Sequence, residues 1–330
     1  MDEVLRVEGL SVEYFSAHRT ARAVDGVSLG IPKGKMVVVV GESGCGKSTL
    51  GLSIIGLLPR SSKVLGGSVF YQGTDLLSLK EKERRMFRGT EIAMIFQEPL
   101  TSLDPVYRVQ DQLIEAIQVR ESRKKGANTR RMSNEEARQE AVELLKRTRI
   151  PDPDHVCMRY PFELSGGMRQ RVMIAMVLAE RPSLLIADEP TTALDVTTQA
   201  QVLKLLKSLM MESGASVMLI THDLAVAAEV ADEVVLLYAG NVVEVASVFD
   251  LFAHPLHPYT SALLTCIPVG PKSRTRLKPI PGRLPSLGER TVGCKFANRC
   301  SHAMDICSRQ TPQLMEVAPN HKVACFLYDK

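Results

Sequence analysis

The sequence predicts an α/β fold that is built on a mainly parallel sheet. Three apolar runs support this prediction: Met36–Val40, Leu184–Ala187 and Val217–Ile220. Strands that are buried on both faces of a parallel sheet read as continuous apolar runs of this kind. Each run is followed at once by glycine or polar residues, and ligands of open α/β sheets lie at the carboxyl ends of the strands. The residues after these runs are therefore the first candidates for a binding site.

The run Met36–Val40 leads into a glycine-rich loop, GESGCGKST, and helix-prone residues Leu50–Leu58 follow it. A match to GxxxxGK[ST] between a strand and a helix predicts a phosphate-binding loop. Inward-turned backbone N–H groups and the positive end of the helix dipole bind an anion there. Lys47 is expected to reach the β- and γ-phosphates of a nucleoside triphosphate, and the Ser48 hydroxyl to bind Mg²⁺. The nucleotide-binding residues predicted in the loop are Gly41, Ser43, Gly44, Cys45, Gly46, Lys47, Ser48 and Thr49.

Length and composition set limits on the rest of the chain. Its 330 residues suffice for one large domain and a smaller one, and 45% of them are apolar. No run approaches the roughly 18 apolar residues of a membrane span, and the acidic Met1–Glu3 opening does not resemble a signal peptide. We therefore expect a soluble, cytosolic chain. The net charge of +4 does not argue for nucleic acid, and the seven cysteines are expected to be thiols or metal ligands.

Alternating apolar and polar residues in the first segment, Val4–Leu29, predict a half-buried antiparallel strand. Tyr14 lies in this segment, upstream of the phosphate loop. An aromatic ring there could stack on adenine, an interaction worth about 1–3 kcal/mol per base. An ordinary tyrosine on the face of the sheet is the alternative.

The region between the phosphate loop and residue 178 is predicted to be partly helical. Gly66–Tyr71 and Ile92–Phe96 are predicted strands, and Ser133 with Glu136 forms a capping box at the start of a helix. A basic cluster near residue 125 could contact an anionic surface, or it could be a solvated loop. The cluster consists of Arg120, Arg123, Lys124, Lys125, Arg130 and Arg131.

A second glycine motif, Leu164–Gln170, runs into the helix-prone residues Val172–Ala179. Its Ser165, Gly166 and Gly167 form another place where a helix N-terminus could bind an anion. The alternative is an ordinary glycine-containing helix cap. The motif by itself does not decide between the two.

Acidic residues follow the buried run Leu184–Ala187. Asp188 is placed to hold Mg²⁺ through water, and Glu189 to polarise the water that attacks a γ-phosphate. His222 follows Val217–Ile220 closely, at the edge of the sheet where ligands lie. A lone histidine is usually structural, so its position is the argument for a role in the site.

These motifs occur in the order found in ABC-type ATPase subunits, and other phosphate-loop enzymes lack the Leu-Ser-Gly-Gly element. Over residues 4–250 the chain resembles that family. The resemblance implies an α/β fold with a RecA-like P-loop ABC ATPase core, an N-terminal antiparallel β-subdomain and a helical subdomain over about residues 98–178. Residues 1–250 would form the ATPase domain and residues 251–330 an extension. ATP would draw two such domains together, and hydrolysis would let them part.

The resemblance also implies roles for single residues. Gln97 is expected to sense Mg²⁺ and the membrane partner, His222 to respond to the γ-phosphate, and Tyr14 to stack on adenine. Ser165 and Gly167 are expected to close on the nucleotide of a second ATPase subunit. Cys45 departs mildly from the commonest loop pattern without affecting the mechanism. Besides the phosphate loop, the residues predicted for the ATP site are Tyr14, Gln97, Ser165, Gly166, Gly167, Asp188, Glu189, Asp195 and His222.

Features near and after residue 250 narrow the family. They are the segment His254–Thr260, five prolines between Pro268 and Pro285 that mark a linker, and four cysteines near the C-terminus. With Arg159–Pro161 and Ile280–Gly282, they resemble the dipeptide/oligopeptide importer ATPases of the OppD/DppD type. That resemblance implies peptide import across the cytoplasmic membrane. The partners implied are a second homologous ATPase subunit, two transmembrane permeases and, indirectly, an extracytoplasmic substrate-binding protein.

The ATPase would lie on the cytoplasmic face of the membrane without touching cargo, so importers of nickel, glutathione or D-alanyl dipeptides stay open as alternatives. A soluble ABC ATPase of DNA repair or translation is a further alternative. Repair members carry a long coiled coil before the Leu-Ser-Gly-Gly motif, and no sustained heptads occur here. Translation members usually join two ATPase domains in one chain. A kinase or GTPase does not account for Leu164–Gln170.

Cys294, Cys300, Cys307 and Cys325 follow the pattern C-x₅-C-x₆-C-x₁₇-C. Structural zinc sites usually have tight C-x₂₋₄-C pairs, which this segment lacks, whereas four cysteine thiolates can hold a [4Fe–4S] cluster. Members of the resembled family carry such a cluster on a C-terminal cysteine set. Zinc and four reduced thiols stay open as alternatives. Loss of the cluster is expected to loosen the tail and to leave ATP binding by residues 4–250 intact.

Overall fold

The computed structural model describes residues 2–16, 19–97, 103–123, 132–192, 194–267, 279–285 and 292–329. Several residues from the predicted basic cluster, the predicted linker and the segment before Asp195 lie outside the described residues. They are Lys124, Lys125, Arg130, Arg131, Ala193, Pro268 and Pro271.

Strands and helices alternate along the described chain. The strands are β1 Glu3–Phe15, β2 Thr20–Pro32, β3 Met36–Val40, β4 Ser62–Tyr71, β5 Thr74–Asp75, β6 Ile92–Ile95, β7 Leu184–Asp188, β8 Ser216–Thr221, β9 Glu233–Tyr238, β10 Asn241–Ser247, β11 Met315–Ala318 and β12 His321–Val323. The α-helices are α1 Lys47–Ile55, α2 Glu81–Arg84, α3 Val109–Arg123, α4 Asn134–Arg147, α5 Pro153–Cys157, α6 Gly166–Glu180, α7 Val196–Ser213, α8 Leu224–Val230, α9 Val248–Ala253 and α10 Pro258–Thr265.

Two compact units make up the chain. The first unit combines residues 1–78 with residues 218–330, and the second consists of residues 79–217. None of the described helices combines the length and the apolar content that a membrane crossing requires.

The N-terminal sheet of the first unit is antiparallel, as predicted, and has the strand order β2-β1-β4-β5. The segment Val4–Leu29, predicted to be one strand, lies in a hairpin instead. Its first strand ends at Phe15, the second begins at Thr20, and Val7 pairs with Leu29 across the hairpin. Apolar and polar residues alternate on both arms of a hairpin, so the pattern alone did not reveal the turn.

The second sheet of the first unit holds the core. Its strands run in the order β11-β12-β10-β9-β3-β8. The pairing of β3 with β9 is parallel, and every residue of β3 is buried, as its apolar sequence predicts. The C-terminal strands β11 and β12 extend this sheet through antiparallel pairing of β12 with β10. The end of the chain is therefore part of the core sheet of this unit.

The second unit contains a parallel pair, β6 and β7, together with a set of helices. Ile92 pairs with Leu184 and Ile95 with Ala187. Helices α3, α4 and α6 pack on one another. The capping box predicted at Ser133 is present: its Oγ accepts the Glu136 N–H at 3.2 Å, and Glu136 Oε2 accepts the Ser133 N–H at 2.8 Å. This reciprocal pair fixes the start of α4.

A fully buried carboxylate, Glu244 of β10, joins three parts of the first unit. It accepts the N–H groups of Leu256 at 2.8 Å and His257 at 2.9 Å, just before α10. The Thr260 hydroxyl donates to it from the same helix, and His321 Nε2 of β12 lies 2.7 Å from Oε1. A buried carboxylate is tolerated only when donors surround it in this way.

Replacing Glu244 by alanine should destabilise the first unit strongly. The change leaves buried donors without an acceptor and His321 without its carboxylate, so we expect the free energy of unfolding in urea to fall by about 3–5 kcal/mol. The exposed Glu115 of α3 provides the matched control, and Glu115→Ala should change stability by less than about 0.5 kcal/mol. Equal urea midpoints for the two variants would contradict this prediction.

Candidate functional site

The predicted phosphate loop connects β3 to α1 in the first unit. Gly44 and Gly46 have φ angles of 79° and 105°, in the left-handed region that favours glycine. A Cβ on Gly46 would collide with the carbonyl oxygen of Ala23, and one on Gly41 with that of Leu237. Gly46 precedes α1 and has no side chain that could cap it, which leaves the first N–H groups of the helix for an anion.

Lys47 closes over this loop. Its Nζ donates to the carbonyl oxygens of Gly41 at 2.8 Å and Glu42 at 3.1 Å, and the residue is only 5% exposed. Two neutral carbonyls are weaker partners for an ammonium group than a phosphate is. The lysine is therefore held where an arriving phosphate can take over its hydrogen bonds.

Tyr14 lies beside the phosphate loop. Its hydroxyl is 3.2 Å from the Thr49 Oγ1 of α1, and the residue is half-buried on β1. His222 comes directly after β8 and is exposed, and the next residue, Asp223, caps α8 by accepting the Ala225 N–H at 2.8 Å. The first unit thus brings Tyr14 to the loop, while adenine stacking and γ-phosphate sensing remain predictions.

Cys45 occupies a loop position where its chemistry could matter. It is fully buried, and burial raises the pKa of the thiol to about 11, partly offset by Lys47. The thiol is therefore neutral near pH 7 and adds no negative charge to an anion-binding loop. That Cys45 leaves the mechanism unaffected stays a prediction.

The second unit places the predicted catalytic carboxylate after β7. Asp188 ends this strand and is 5% exposed. Glu189 follows with a φ of 44°, a conformation that is uncommon outside glycine and that recurs at functional sites. Gln97, just past β6, donates from Nε2 to Glu189 Oε2 at 3.2 Å. The structure therefore brings together Gln97 and Glu189, two of the residues predicted for the ATP site.

Thr192 is a residue that the sequence analysis missed. Its hydroxyl donates to Glu189 Oε2 at 2.9 Å, and it lies 3.2 Å from the Glu189 carbonyl oxygen. The same carboxylate oxygen thus faces both Gln97 and Thr192, which fixes its orientation. The spacing of three residues after the acidic pair was the available signal, because a threonine there can reach back across a turn.

The Leu-Ser-Gly-Gly motif begins α6. Ser165 caps this helix, with its Oγ 3.4 Å from the Met168 N–H. A Cβ on Gly167 would lie 2.9 Å from the Thr198 side chain, so glycine is required where α6 meets the start of α7. Asp195 caps α7 by accepting the Thr198 N–H at 3.0 Å, and hydrogen bonds from the Thr198 hydroxyl and backbone lower the pKa of its carboxyl. Both motifs therefore have structural uses besides the predicted nucleotide contacts.

The four C-terminal cysteines lie around one small cavity of about 10 Å³ in the first unit. The His302 N–H points to Cys300 Sγ at 3.3 Å, and the Met304 N–H to Cys307 Sγ at 3.5 Å. Burial, with a smaller contribution from the neighbouring thiols, raises the pKa of the Cys294 thiol to about 11. Four thiols that share a cavity and receive N–H donors have the chemistry of a soft-metal site.

The cysteine set is not arranged as a formed metal site. Among the described residues, no group of three or more Cys, His, Asp or Glu side chains has a geometry that could hold a metal ion. The cavity has about the volume that one water molecule needs. The donor set therefore fits a metal centre in its chemistry, and binding of a cluster would require the thiols to rearrange.

Comparison with known proteins decides the family. Residues 24–192 match the ABC transporter family, and residues 243–307 match the oligopeptide/dipeptide transporter C-terminal region. The chain belongs to the ABC transporter ATPases. The match to the C-terminal region confirms the narrower resemblance to the peptide-importer branch.

Relatives match this chain along nearly its whole length. It is 49% identical over 327 residues to the probable peptide ABC transporter ATP-binding protein y4tR of Sinorhizobium fredii. The alignment covers 98% of this chain and 95% of that protein. It is 47% identical to the oligopeptide transport ATP-binding protein AppD of Bacillus subtilis, over 100% of this chain and 98% of that protein. The dipeptide transport ATP-binding protein DppD of Escherichia coli is 45% identical, over 98% of this chain and 96% of that protein.

A solved structure supports the fold class. The dimeric bacterial ABC transporter cassette MJ0796 aligns with a TM-score of 0.64 at 30% identity, over 74% of this chain and 98% of that chain. The predicted ABC ATPase core, with its antiparallel sheet and helical part, is thereby confirmed. The division at residue 250 stays a prediction.

Proposed function

We propose that this chain is the ATP-hydrolysing subunit of an ABC importer that takes up di- or oligopeptides. The observation that carries the proposal is the presence, in one chain, of an ordered phosphate loop and the oligopeptide/dipeptide transporter C-terminal region. The relatives named for oligopeptide and dipeptide transport support the same cargo class. No observation favours nickel, glutathione or D-alanyl dipeptides over peptides.

ATP binding is assigned to the phosphate loop. The N–H groups from Gly44 to Thr49 would surround the β- and γ-phosphates, and Lys47 would exchange its two carbonyl acceptors for phosphate oxygens. Mg²⁺, when bound, neutralises charge on these phosphates. The groups we assign to it are the Ser48 hydroxyl, Gln97 and the buried Asp188 carboxylate.

Hydrolysis is assigned to Glu189. Its carboxylate takes a proton from water as the water oxygen bonds to the γ-phosphorus, and the bond from that phosphorus to the bridging oxygen of ADP breaks. Gln97 and Thr192 hydrogen-bond to one carboxylate oxygen and so fix the orientation of the group that would act on the water. His222 is assigned to the γ-phosphate and Tyr14 to adenine.

Assembly follows from the same roles. Ser165 and Gly167 would act on the nucleotide of a second ATPase subunit, and a related cassette has been solved as a dimer. The pair would drive two transmembrane permeases fed by an extracytoplasmic binding protein. We therefore infer a peripheral location on the cytoplasmic face of the membrane.

The first test concerns the carboxylate. Glu189→Gln in the assembled transporter should retain ATP binding and lower turnover by about 10²–10⁴-fold, because a positioned base contributes that much. Lys47→Ala should instead lose nucleotide affinity, and Glu115→Gln at an exposed site should match the wild type. Thr192→Val should lower turnover less than Glu189→Gln, since it only loosens the carboxylate. Steady-state hydrolysis by Glu189→Gln at the wild-type rate would remove Glu189 from the mechanism.

The second test concerns assembly. The purified chain alone should be monomeric and slow, because the groups that complete each site belong to another subunit. Full ATPase activity should require a companion ATPase subunit and two permeases in membranes, and peptide with its binding protein should raise it. Permease-independent hydrolysis that nucleic acid stimulates would contradict the importer and favour a soluble ABC ATPase.

The cysteine set supports a second assignment. We propose that Cys294, Cys300, Cys307 and Cys325 hold a [4Fe–4S] cluster. The shared cavity and the N–H groups aimed at two of the sulfurs favour it. Such a cluster would be structural, since a segment of this size cannot build a sufficient core by itself.

Protein prepared without oxygen tests this assignment. It should be brown, with broad absorbance at ~400 nm and about four irons per chain. Cys300→Ser should bleach it, whereas Cys266→Ser, outside the cavity, should keep the colour. A colourless protein with about one zinc per chain would establish the zinc alternative. Colourless, metal-free protein with a folded tail would establish the reduced thiols.

A further inference from the structure

The second residue of the phosphate loop, Glu42, is held by the C-terminal part of the chain. Arg299 Nη1 donates to Glu42 Oε1 at 2.8 Å and lies 3.0 Å from Oε2. The Tyr259 hydroxyl accepts the backbone N–H of Glu42 at 3.1 Å. All three residues belong to the first unit. The sequence does not predict this link, because its motifs assign ATP binding to residues 4–250 and leave residues 251–330 as a separate extension.

Arg299 is itself fixed in place. Its side chain is only 6% exposed, and its Nε donates to the Pro281 carbonyl oxygen at 2.9 Å. Nη1 also lies 3.2 Å from the Tyr238 hydroxyl, and the guanidinium lies over the Tyr238 and Phe296 rings at 5.8 and 6.0 Å. A planar guanidinium held by aromatic faces and a carbonyl is a rigid support. The position of Glu42 therefore depends on this surrounding structure.

Lys295 provides a second connection from the same segment. Its Nζ donates to the Ala239 carbonyl oxygen at 2.8 Å and to Asp25 Oδ2 at 3.0 Å. Gly240, the residue after Ala239, donates its N–H to the carbonyl oxygen of Cys45 in the phosphate loop at 2.8 Å. The cysteine-bearing segment thus supports the loop at both its beginning and its middle.

We infer that Arg299 is a positioning residue of the phosphate loop and that docking of the C-terminal segment sets nucleotide affinity through the Arg299–Glu42 pair. Glu42 brings a carboxylate into a loop built to bind an anion, and like charges repel. Arg299 compensates that charge and anchors the loop at once. The inference rests on the proposed role of this loop in ATP binding.

ATP dissociation constants of the full-length chain test the inference. Arg299→Ala should raise the Kd for Mg·ATP about 10-fold, since a charge-assisted pair is lost and the carboxylate is uncompensated. Arg299→Lys, which keeps the charge, should recover part of the loss. Arg309→Ala removes an exposed arginine of the same segment and should match the wild type. Wild-type Kd for Arg299→Ala, with an unchanged circular dichroism spectrum, would overturn the inference.

A double-mutant cycle separates positioning from general damage. Glu42→Gln removes the charge but keeps an oxygen that can accept from Arg299, so this variant should lose less affinity than Arg299→Ala, about 3-fold at most. In the Glu42→Gln background, Arg299→Ala should cost less than it does in the wild-type background, because the partner charge is gone. An equal 10-fold loss in both backgrounds would show that Arg299 acts only on the fold. That result would overturn the inference.

Failure of the inference can be told apart from failure of the proposed function. If the wild-type chain binds Mg·ATP and Lys47→Ala abolishes binding, the loop is the nucleotide site whatever Arg299→Ala does. If the Arg299→Ala chain does not fold, Glu42→Ala tests the same pair from the loop side, because it keeps Arg299 and removes its hydrogen-bond partner. Glu42→Ala should raise the Kd for Mg·ATP more than Glu42→Gln does, since glutamine still offers Arg299 an oxygen. Equal Kd values for the two variants would contradict the pair.

Discussion

Close backbone packing around the phosphate loop is the constraint on which the rest of the first unit depends. The backbone N–H groups of the loop point towards the anion site. The residues at the two ends of the loop therefore pack directly against the backbone of neighbouring strands, with no side chain between them. Gly46 lies against the carbonyl oxygen of Ala23 on β2, and Gly41 against that of Leu237 on β9. The antiparallel sheet and the core sheet therefore meet at the loop, and small movements of either sheet reach the N–H groups directly.

Local patterns in the sequence predicted those elements that depend only on residues close together in the chain. The buried strand β3, the capping box at Ser133 and the strand before Asp188 all follow from neighbouring residues, and each is present. The hairpin of β1 and β2 was missed because both arms share one alternation. The support of Glu42 by Arg299 was out of reach, since 257 positions separate two charged residues that no periodic pattern connects.

The sequence predicts Glu189 as a site residue but does not predict the contacts that orient its carboxylate. The acidic pair after a buried strand identified Glu189, but its left-handed backbone and its contacts with Gln97 and Thr192 depend on how β6 and β7 are aligned. Both partners are neutral donors. They orient the carboxylate through hydrogen bonds to one of its oxygens.

Glu244 couples the identity of one residue in a core strand to the docking of the C-terminal segment. A carboxylate that this segment buries is costly unless donors from residues 256–260 and from β12 surround it. Those donors in turn need an acceptor at this position, so neither the strand nor the segment can change there alone. In any related chain, the residue at this place in the strand should indicate whether the same segment folds back onto the sheet.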